Sequence, residues 1–493
     1  MKKLFISGII VSIALLIGRI SGFFREIFVA SIFGVSVHSD ITILLLTVSD
    51  LLVNLLVGGA FSMVLIPAFK SEPSRVANML YLQSFIFSGI LFFLISLLIG
   101  INAEYFVYLI APGLSNFHEV DYIPYVRYVL LAIPLTVMAG VVTAYMQFKE
   151  KFSLPSFGTL FFNIVIIVSL IIYSKLNPAG NFLLYVTSGV IIGALLRLII
   201  FYIASNSPRN LIPDLFKKNY ISKAIFKQYI YCIISSASIL LVPVIIRAIS
   251  STYGDGYLSI SNYALKLVDL PLTVVLSVFS IIFLPKLSGI NGVNDRKKFN
   301  IIISDLIFVI LLLSSIISII IYMFSDYIVS LVYGWGKISE EDILAISYIL
   351  RIAIFSLIFQ GINSILISAF AAKVDNKAPL IINSVVITIF AFSVYTLNLS
   401  LEWIFYSMNA CFISISIIML IVMKLKHKIS LYSLVTKDKL LIITIFSLSS
   451  YSLYLLNKFL NINIWTAMLL SVLYLLLNGI FYLVIERKNF IGN

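Results

Sequence analysis

The chain has 493 residues, of which 61% are hydrophobic and only 11% charged. So few charges cannot cover a water-soluble domain of this size, and apolar runs of about 18 residues or more recur from end to end without the alternation of barrel strands, which excludes a transmembrane β-barrel. The formal charge of +13 does not indicate a nucleic-acid partner, because its Lys and Arg are distributed as a membrane topology signal.

Fourteen apolar helices are expected in chain order, at 6–32, 40–69, 79–101, 123–148, 155–174, 181–204, 223–250, 257–287, 299–323, 343–372, 377–397, 402–424, 438–457 and 464–485. Met1, Lys2 and Lys3 with the apolar run behind them resemble a secretory signal. No small-residue cleavage site follows before Arg19, so the run is read as a retained first helix. Alternate loops hold 24 of the basic residues, from Lys2 and Lys3 to Arg487 and Lys488, whereas the opposite loops hold only Lys175, Lys337 and Lys458. The opposite loops are acidic, with Glu104, Glu119, Asp121, Glu340, Glu341 and Asp342. This split places both termini in the cytoplasm by the positive-inside rule. A bacterial cytoplasmic membrane is the expected location.

A weak internal repeat runs through the first twelve spans. Span 2 ends Phe61-Ser62-Met63-Val64-Leu65-Ile66-Pro67, and span 8 ends Phe279-Ser280-Ile281-Ile282-Phe283-Leu284-Pro285. Lys149 and Pro155 join spans 4 and 5 at the spacing with which Lys373 and Pro379 join spans 10 and 11. Parallel repeats of this kind are a recurrent design of secondary transporters. Two pseudo-symmetric six-helix lobes are therefore expected, at 1–205 and 206–427, with spans 13 and 14 added at 428–493.

Charge inside these spans marks the candidate site, because an ionisable group at bilayer depth normally faces protein or water. In the first span, Gly18-Arg19-Ile20-Ser21-Gly22-Phe23-Phe24-Arg25-Glu26 puts Arg19 and Glu26 two turns apart on one face, with Arg25 over Gly18 and Gly22. The glycines allow either the close approach of a neighbouring helix or a bend. Span 2 carries Asp40, Thr47, Asp50, Asn54, Gly58 and Ser62 within about 120° of one another. Span 8 carries Asn262, Lys266, Asp269, Thr273, Ser277 and Ser280 within roughly 80°. Simpler roles stand beside the functional ones. Arg25 and Glu26 can snorkel to the interface, Asp40 can cap the start of span 2, and Lys266 and Asp269 can neutralise each other. Fixed cations suit an anion, and guanidinium suits phosphate. The residues alone point to a transporter of an anionic, lipid-linked molecule working by alternating access, with a hydrated cavity between the lobes.

Other chemistries lack their signatures. There is no Walker loop, His38, His118 and His427 are scattered, and no nucleophile–base pair stands out, so neither an enzyme nor a metal site is expected. Cys232 and Cys411 lie in apolar segments as small core residues.

The stretch Gly18 to Gly34, then Asp40, Gly59-Ala60-Phe61-Ser62 and Ile66-Pro67, resembles the opening of the MurJ/MviN lipid II flippases of the multidrug/oligosaccharidyl-lipid/polysaccharide exporter superfamily. The likeness continues through Tyr263-Ala264-Leu265-Lys266-Leu267, Phe283-Leu284-Pro285 and Tyr333-Gly334. It implies translocation of an undecaprenyl-pyrophosphate-linked peptidoglycan precursor from the cytoplasmic to the outer leaflet. The related reading is a flippase for another undecaprenyl-pyrophosphate-linked oligosaccharide, such as O-antigen or capsule. Arg19, Arg25, Asp40 and Lys266 match the family's functional positions, with Glu26, Asp50, Asn54 and Asp269 as further substrate-binding candidates from the stripes. The resemblance also implies a lipid-tail groove on spans 13 and 14, and coupling to membrane potential or a cation gradient with no cofactor. A monomer is expected. The sequence departs from the family at Val53, Asn54 and Gly58, where basic or acidic residues are usual, and at Lys266, where Arg is usual. Arg19 and Arg25 should then carry more of the anion binding.

Overall fold

The computed structural model describes residues 2–52, 60–116, 120–178, 180–207, 218–282, 296–373, 375, 377–427, 436–459 and 463–491. Asn54, Val53, Gly58, the Gly59 of the family-like motif and residues 283–286 lie outside them, and so does the side chain of Cys232. Among the described residues the regular structure is helical, with no strand. The helices are α1 (Lys2–Phe33), α2 (Val37–Leu52), α3 (Ala60–Lys70), α4 (Ser74–Ile101), α5 (Ala103–Ile110), α6 (Ile123–Leu130), α7 (Ala132–Phe148), α8 (Ser153–Ser156), α9 (Gly158–Leu176) and α10 (Phe182–Ala204). They continue as α11 (Lys223–Ser250), α12 (Tyr257–Ile282), α13 (Arg296–Met323), α14 (Ser325–Tyr333), α15 (Glu340–Ala353), α16 (Ser356–Ala372), α17 (Lys377–Thr396), α18 (Leu401–His427), α19 (Lys437–Phe459) and α20 (Ile464–Ile491).

Every expected span has a helical counterpart. Among the described residues, eight spans are long and apolar enough to cross a membrane, and α15 with α16 makes a ninth, bent by 43°. The protein is a multi-pass, all-α membrane protein.

The breaks have local causes. Pro134 lacks the N–H that would bond the Leu130 carbonyl, and the helix is interrupted at Leu131 between α6 and α7. The matching span 10 is interrupted at Ile354 and Phe355. Two short helices were hidden from apolar-run reasoning because they are only 8 and 9 residues long. α5 follows α4 after Asn102, and α14 follows α13 after Phe324. α5 buries Ala103 and Val107 and exposes Tyr105 and Tyr108, the pattern of an interfacial helix with aromatic anchors. Both the paired short helices and the paired breaks recur about 220 residues apart, near the offset of the sequence repeat.

By internal contacts the chain divides into two compact units. The first is Met1–Lys266 with Trp335–Ser339 and Ala391–Leu401, and the second is Leu267–Gly334 with Glu340–Phe390 and Glu402–Asn493. In the first, α9 packs on α1 and α10, and α7 packs on α3, α4 and α10. The Tyr81 and Tyr145 rings stack 4.0 Å apart, and the Tyr145 hydroxyl donates to Asn78 Oδ1 at 2.8 Å. In the second, α13 presents Phe308, Leu312, Ile316 and Ile320 at a spacing of four to Ile442, Leu453, Ala467 and Tyr474 of the last two helices. Lys439 Nζ closes this packing at 2.6 Å from Asp305 Oδ1. Cys411 is buried in α18, in keeping with a core role.

Candidate functional site

The site grows from one face of α1. A Cβ at Gly18 would stand 3.2 Å from Thr159 Cβ, and one at Gly22 would stand 3.3 Å from Asn163 Nδ2. Of the two roles open to these glycines, close approach by α9 is the one observed. That approach brings Asn163 onto α1, where its Nδ2 donates to the Gly18 carbonyl at 3.3 Å and to Ser21 Oγ at 3.0 Å. Its Oδ1 accepts from Arg25 Nη1 at 3.1 Å. The small residues one and two turns before Arg25 thus make the space in which its guanidinium is held.

Arg25 is 2% exposed and does not snorkel. Its Nη1 and Nη2 grip both oxygens of Asp50, at 3.2 and 2.6 Å, in a two-pronged pair. Nη2 also donates to Glu26 Oε1 at 2.9 Å. Glu26, equally buried, accepts through Oε2 from Asn262 Nδ2 of α12 at 2.9 Å. Lys266, one turn further along α12, is near enough to attract both Glu26 and Asp50 electrostatically. Two cations and two carboxylates therefore meet among α1, α2 and α12, with an amide on either flank. Burying such charge is costly unless each member is paired, and here the pairing is nearly complete. Arg25 Nε is the exception: it is buried with no partner among the described residues.

Asp40 has a different task. It lies in the first turn of α2, but its Oδ2 accepts from the Gly256 N–H at 2.8 Å and its Oδ1 from the Ser259 N–H at 2.7 Å. It caps the start of α12 rather than of its own helix, where the helix dipole favours an anion. Gly256 adopts φ +82°, and a Cβ there would meet Val35 Cγ1 at 2.4 Å, so a glycine is needed for its N–H to face Asp40. Between this cap and the Arg25 cluster, Arg247 Nη1 of α11 is 3.4 Å from Thr47 Oγ1.

Of the residues expected at the site, the structure thus brings Arg25, Glu26, Asp50 and Lys266 together and sets Asp40 apart as a cap. Arg19 is exposed on α1. Asp269 belongs to the second unit, is partly exposed, and accepts from Thr273 Oγ1 through its backbone carbonyl. Asn163 was not singled out from the sequence, although it is the only amide side chain in span 5. The Gly256 and Ser259 amides were beyond a reading of side chains.

A guanidinium held by a carboxylate that is itself 31% exposed is suited to exchanging that carboxylate for another oxyanion with two oxygens to offer, such as a phosphate. The profile of the lipid II flippase MurJ family matches residues 29–484 of the chain. A protein of Buchnera aphidicola subsp. Schizaphis graminum described as "Probable lipid II flippase MurJ" is 26% identical over 78% of this chain and 75% of its own length. A protein of Aquifex aeolicus with the same description is 24% identical over 87% of this chain and 85% of its own. Among solved structures, "Lipid II flippase MurJ, inward closed conformation" superposes with a TM-score of 0.79 at 20% identity, covering 98% of this chain and 100% of that one.

Proposed function

The chain belongs to the lipid II flippase MurJ family, and from that premise we propose how it carries lipid II, with Arg25 as the group that takes the diphosphate. The protein is a transporter, not an enzyme, and its substrate is the lipid-linked peptidoglycan precursor. Family membership favours this substrate over other undecaprenyl-pyrophosphate-linked glycans.

The observation that carries the mechanism is the two-pronged Arg25–Asp50 pair beside Glu26. In this conformation the carboxylates occupy the guanidinium. A diphosphate offers the same oxygen geometry with more charge, so it displaces Asp50, the more exposed of the two partners. Arg19 adds a second guanidinium and Lys266 a point charge without a fork. When the diphosphate leaves, Asp50 returns to Arg25, so the empty carrier never holds an uncompensated buried cation. Alternating access then presents the group first to the cytoplasmic and then to the outer leaflet of the bacterial cytoplasmic membrane, with both termini in the cytoplasm. Release of Asp40 from the α12 amides is a natural part of such a rearrangement. The last two helices accommodate the isoprenoid tail, and coupling comes from the membrane potential or a cation gradient. The carrier works as a monomer.

The test is binding of undecaprenyl diphosphate to the purified protein and two variants. Arg25→Gln should lose binding at least tenfold. Asp50→Asn, which removes the internal competitor, should bind as tightly as wild type or more tightly. A loss of similar size in Asp50→Asn would refute the exchange, because it would make Asp50 a structural support for the ligand site.

A further inference from the structure

A second buried arginine lies away from this cluster, and it has no counter-charge among the described residues. Arg197, on α10, is 6% exposed. Among the described residues its Nε has no hydrogen-bond partner, and the guanidinium stands over the face of the Phe201 ring, 5.6 Å from guanidinium carbon to centroid. A guanidinium so placed is costly unless an anion completes it.

The surroundings are built for close approach. Gly158 is the first residue of α9, and a Cβ there would stand 2.8 Å from Arg197 Nε and 2.7 Å from Phe201 Cζ. The absence of that Cβ seats the guanidinium directly against the opening turn of α9, a 19-residue helix whose start has no side-chain cap. The helix dipole and the arginine thus add at one point. The turn before α8, the four-residue helix that leads into α9, is basic, with Lys149 and Lys151, and Lys151 Nζ donates to the Ala204 carbonyl at the end of α10 at 3.0 Å. This holds further positive charge at the same end of the helix pair. The stripe beside α9 is otherwise made of small or apolar residues: Gly193 and Gly189 meet it one and two turns before Arg197, respectively. Arg197 therefore interrupts a tight helix–helix seam where a structural role would favour an apolar side chain.

We infer that Arg197, with the first turn of α9, forms a binding site for a phosphate group at the basic-loop end of α9 and α10, separate from the Arg25 cluster. The ligand class is a phosphate ester at the membrane surface, an anionic phospholipid headgroup, or a soluble phosphate of the same chemistry.

The experiment compares the full-length protein with Arg197→Met and Arg197→Lys in nanodiscs. One set contains only phosphatidylcholine, a second adds phosphatidylglycerol, and a third is phosphatidylcholine with inorganic phosphate in the buffer. Thermal unfolding and the number of lipids retained in native mass spectrometry are read for each. Removing an unpaired buried charge should make Arg197→Met at least as stable as wild type in phosphatidylcholine, which also shows that it folds. Adding the anion should raise the midpoint of wild type by several degrees more than that of Arg197→Met. Arg197→Lys should keep part of the gain, since it keeps the charge but not the fork. A gain specific to phosphatidylglycerol, with one additional retained lipid, identifies a headgroup; a gain with inorganic phosphate identifies a soluble ligand. Equal responses in wild type and Arg197→Met, or none in either, would overturn the site.

Discussion

Replacing Arg25 by Gln tests the charge cluster through stability rather than transport. Arg25 makes four hydrogen bonds, three of them to the carboxylates of Asp50 and Glu26. Without it, Asp50 retains some access to water, but Glu26 is left buried at 2% exposure with the Asn262 amide as its remaining donor among the described residues. Stranding one member of a buried ion pair costs about 3–5 kcal/mol. Lys266 offsets part of this, so the expected loss is at the lower end, about 3 kcal/mol. The diagnostic partner is Glu26→Gln in the same background. It removes the stranded charge, so the double variant should recover roughly 1–3 kcal/mol, and the two changes should be strongly non-additive. Reversible unfolding of the four proteins of the cycle, monitored in one detergent, supplies the comparison. If the two single losses simply add, Arg25 and Glu26 do not form the buried pair described here.

Asp40→Asn should lose the charge and one of the two amide acceptors of the α12 cap, costing about 1 kcal/mol, with Asp40→Ala costing about 2; amide exchange at Gly256 and Ser259 should accelerate in step, and unchanged exchange would contradict the cap. Gly22→Leu should drive α1 from α9 and lower the thermal midpoint, whereas Gly22→Ala, whose Cβ meets only an amide nitrogen at 3.3 Å, should be tolerated; equal effects would show that the seam is not tight. In the turn between α16 and α17, hydrogen bonding from Lys426, with His427 adding to it, holds the Asp375 carboxyl below the usual carboxylate range. A depressed folded-state value stabilises the fold above the unfolded value, near 3.9, and the contribution fades as pH falls through the folded one. The stability difference between wild type and Asp375→Asn should therefore be constant from about pH 7 to 5 and shrink on acidification below about pH 4; a difference that shrinks already between pH 7 and 5 would contradict this assignment.

What could be read from sequence followed the size of the signal. Fourteen spans were legible because apolar runs and the distribution of Lys and Arg are long-range patterns that tolerate local error. α5 and α14 were not, because helices of 8 and 9 residues after a membrane span look like loops. Within the site, the period of α1 correctly set Arg25 over Gly18 and Gly22, and the structure chose between the two roles open to those glycines. The partners of Arg25 were harder. Asp50 could be nominated from its stripe, but only packing shows that it faces Arg25. Asn163 lies 138 residues away from Arg25 in the chain, where helical periodicity gives no guide. Asp40 shows the same limit: an acid at the start of α2 reads naturally as a cap for α2, and its real acceptor role is toward amides more than 200 residues later.

The most direct test of the central claim is the fraction of lipid II exposed in the outer leaflet after this protein is depleted from its own cells. Exposure is measured with an enzyme that acts only from outside, and the cells are complemented by wild type or by Arg25→Gln at matched membrane abundance. The account predicts that exposed lipid II falls on depletion, returns with wild type and does not return with Arg25→Gln. Lipid II that still reaches the outer leaflet while a different surface glycan is lost would contradict it.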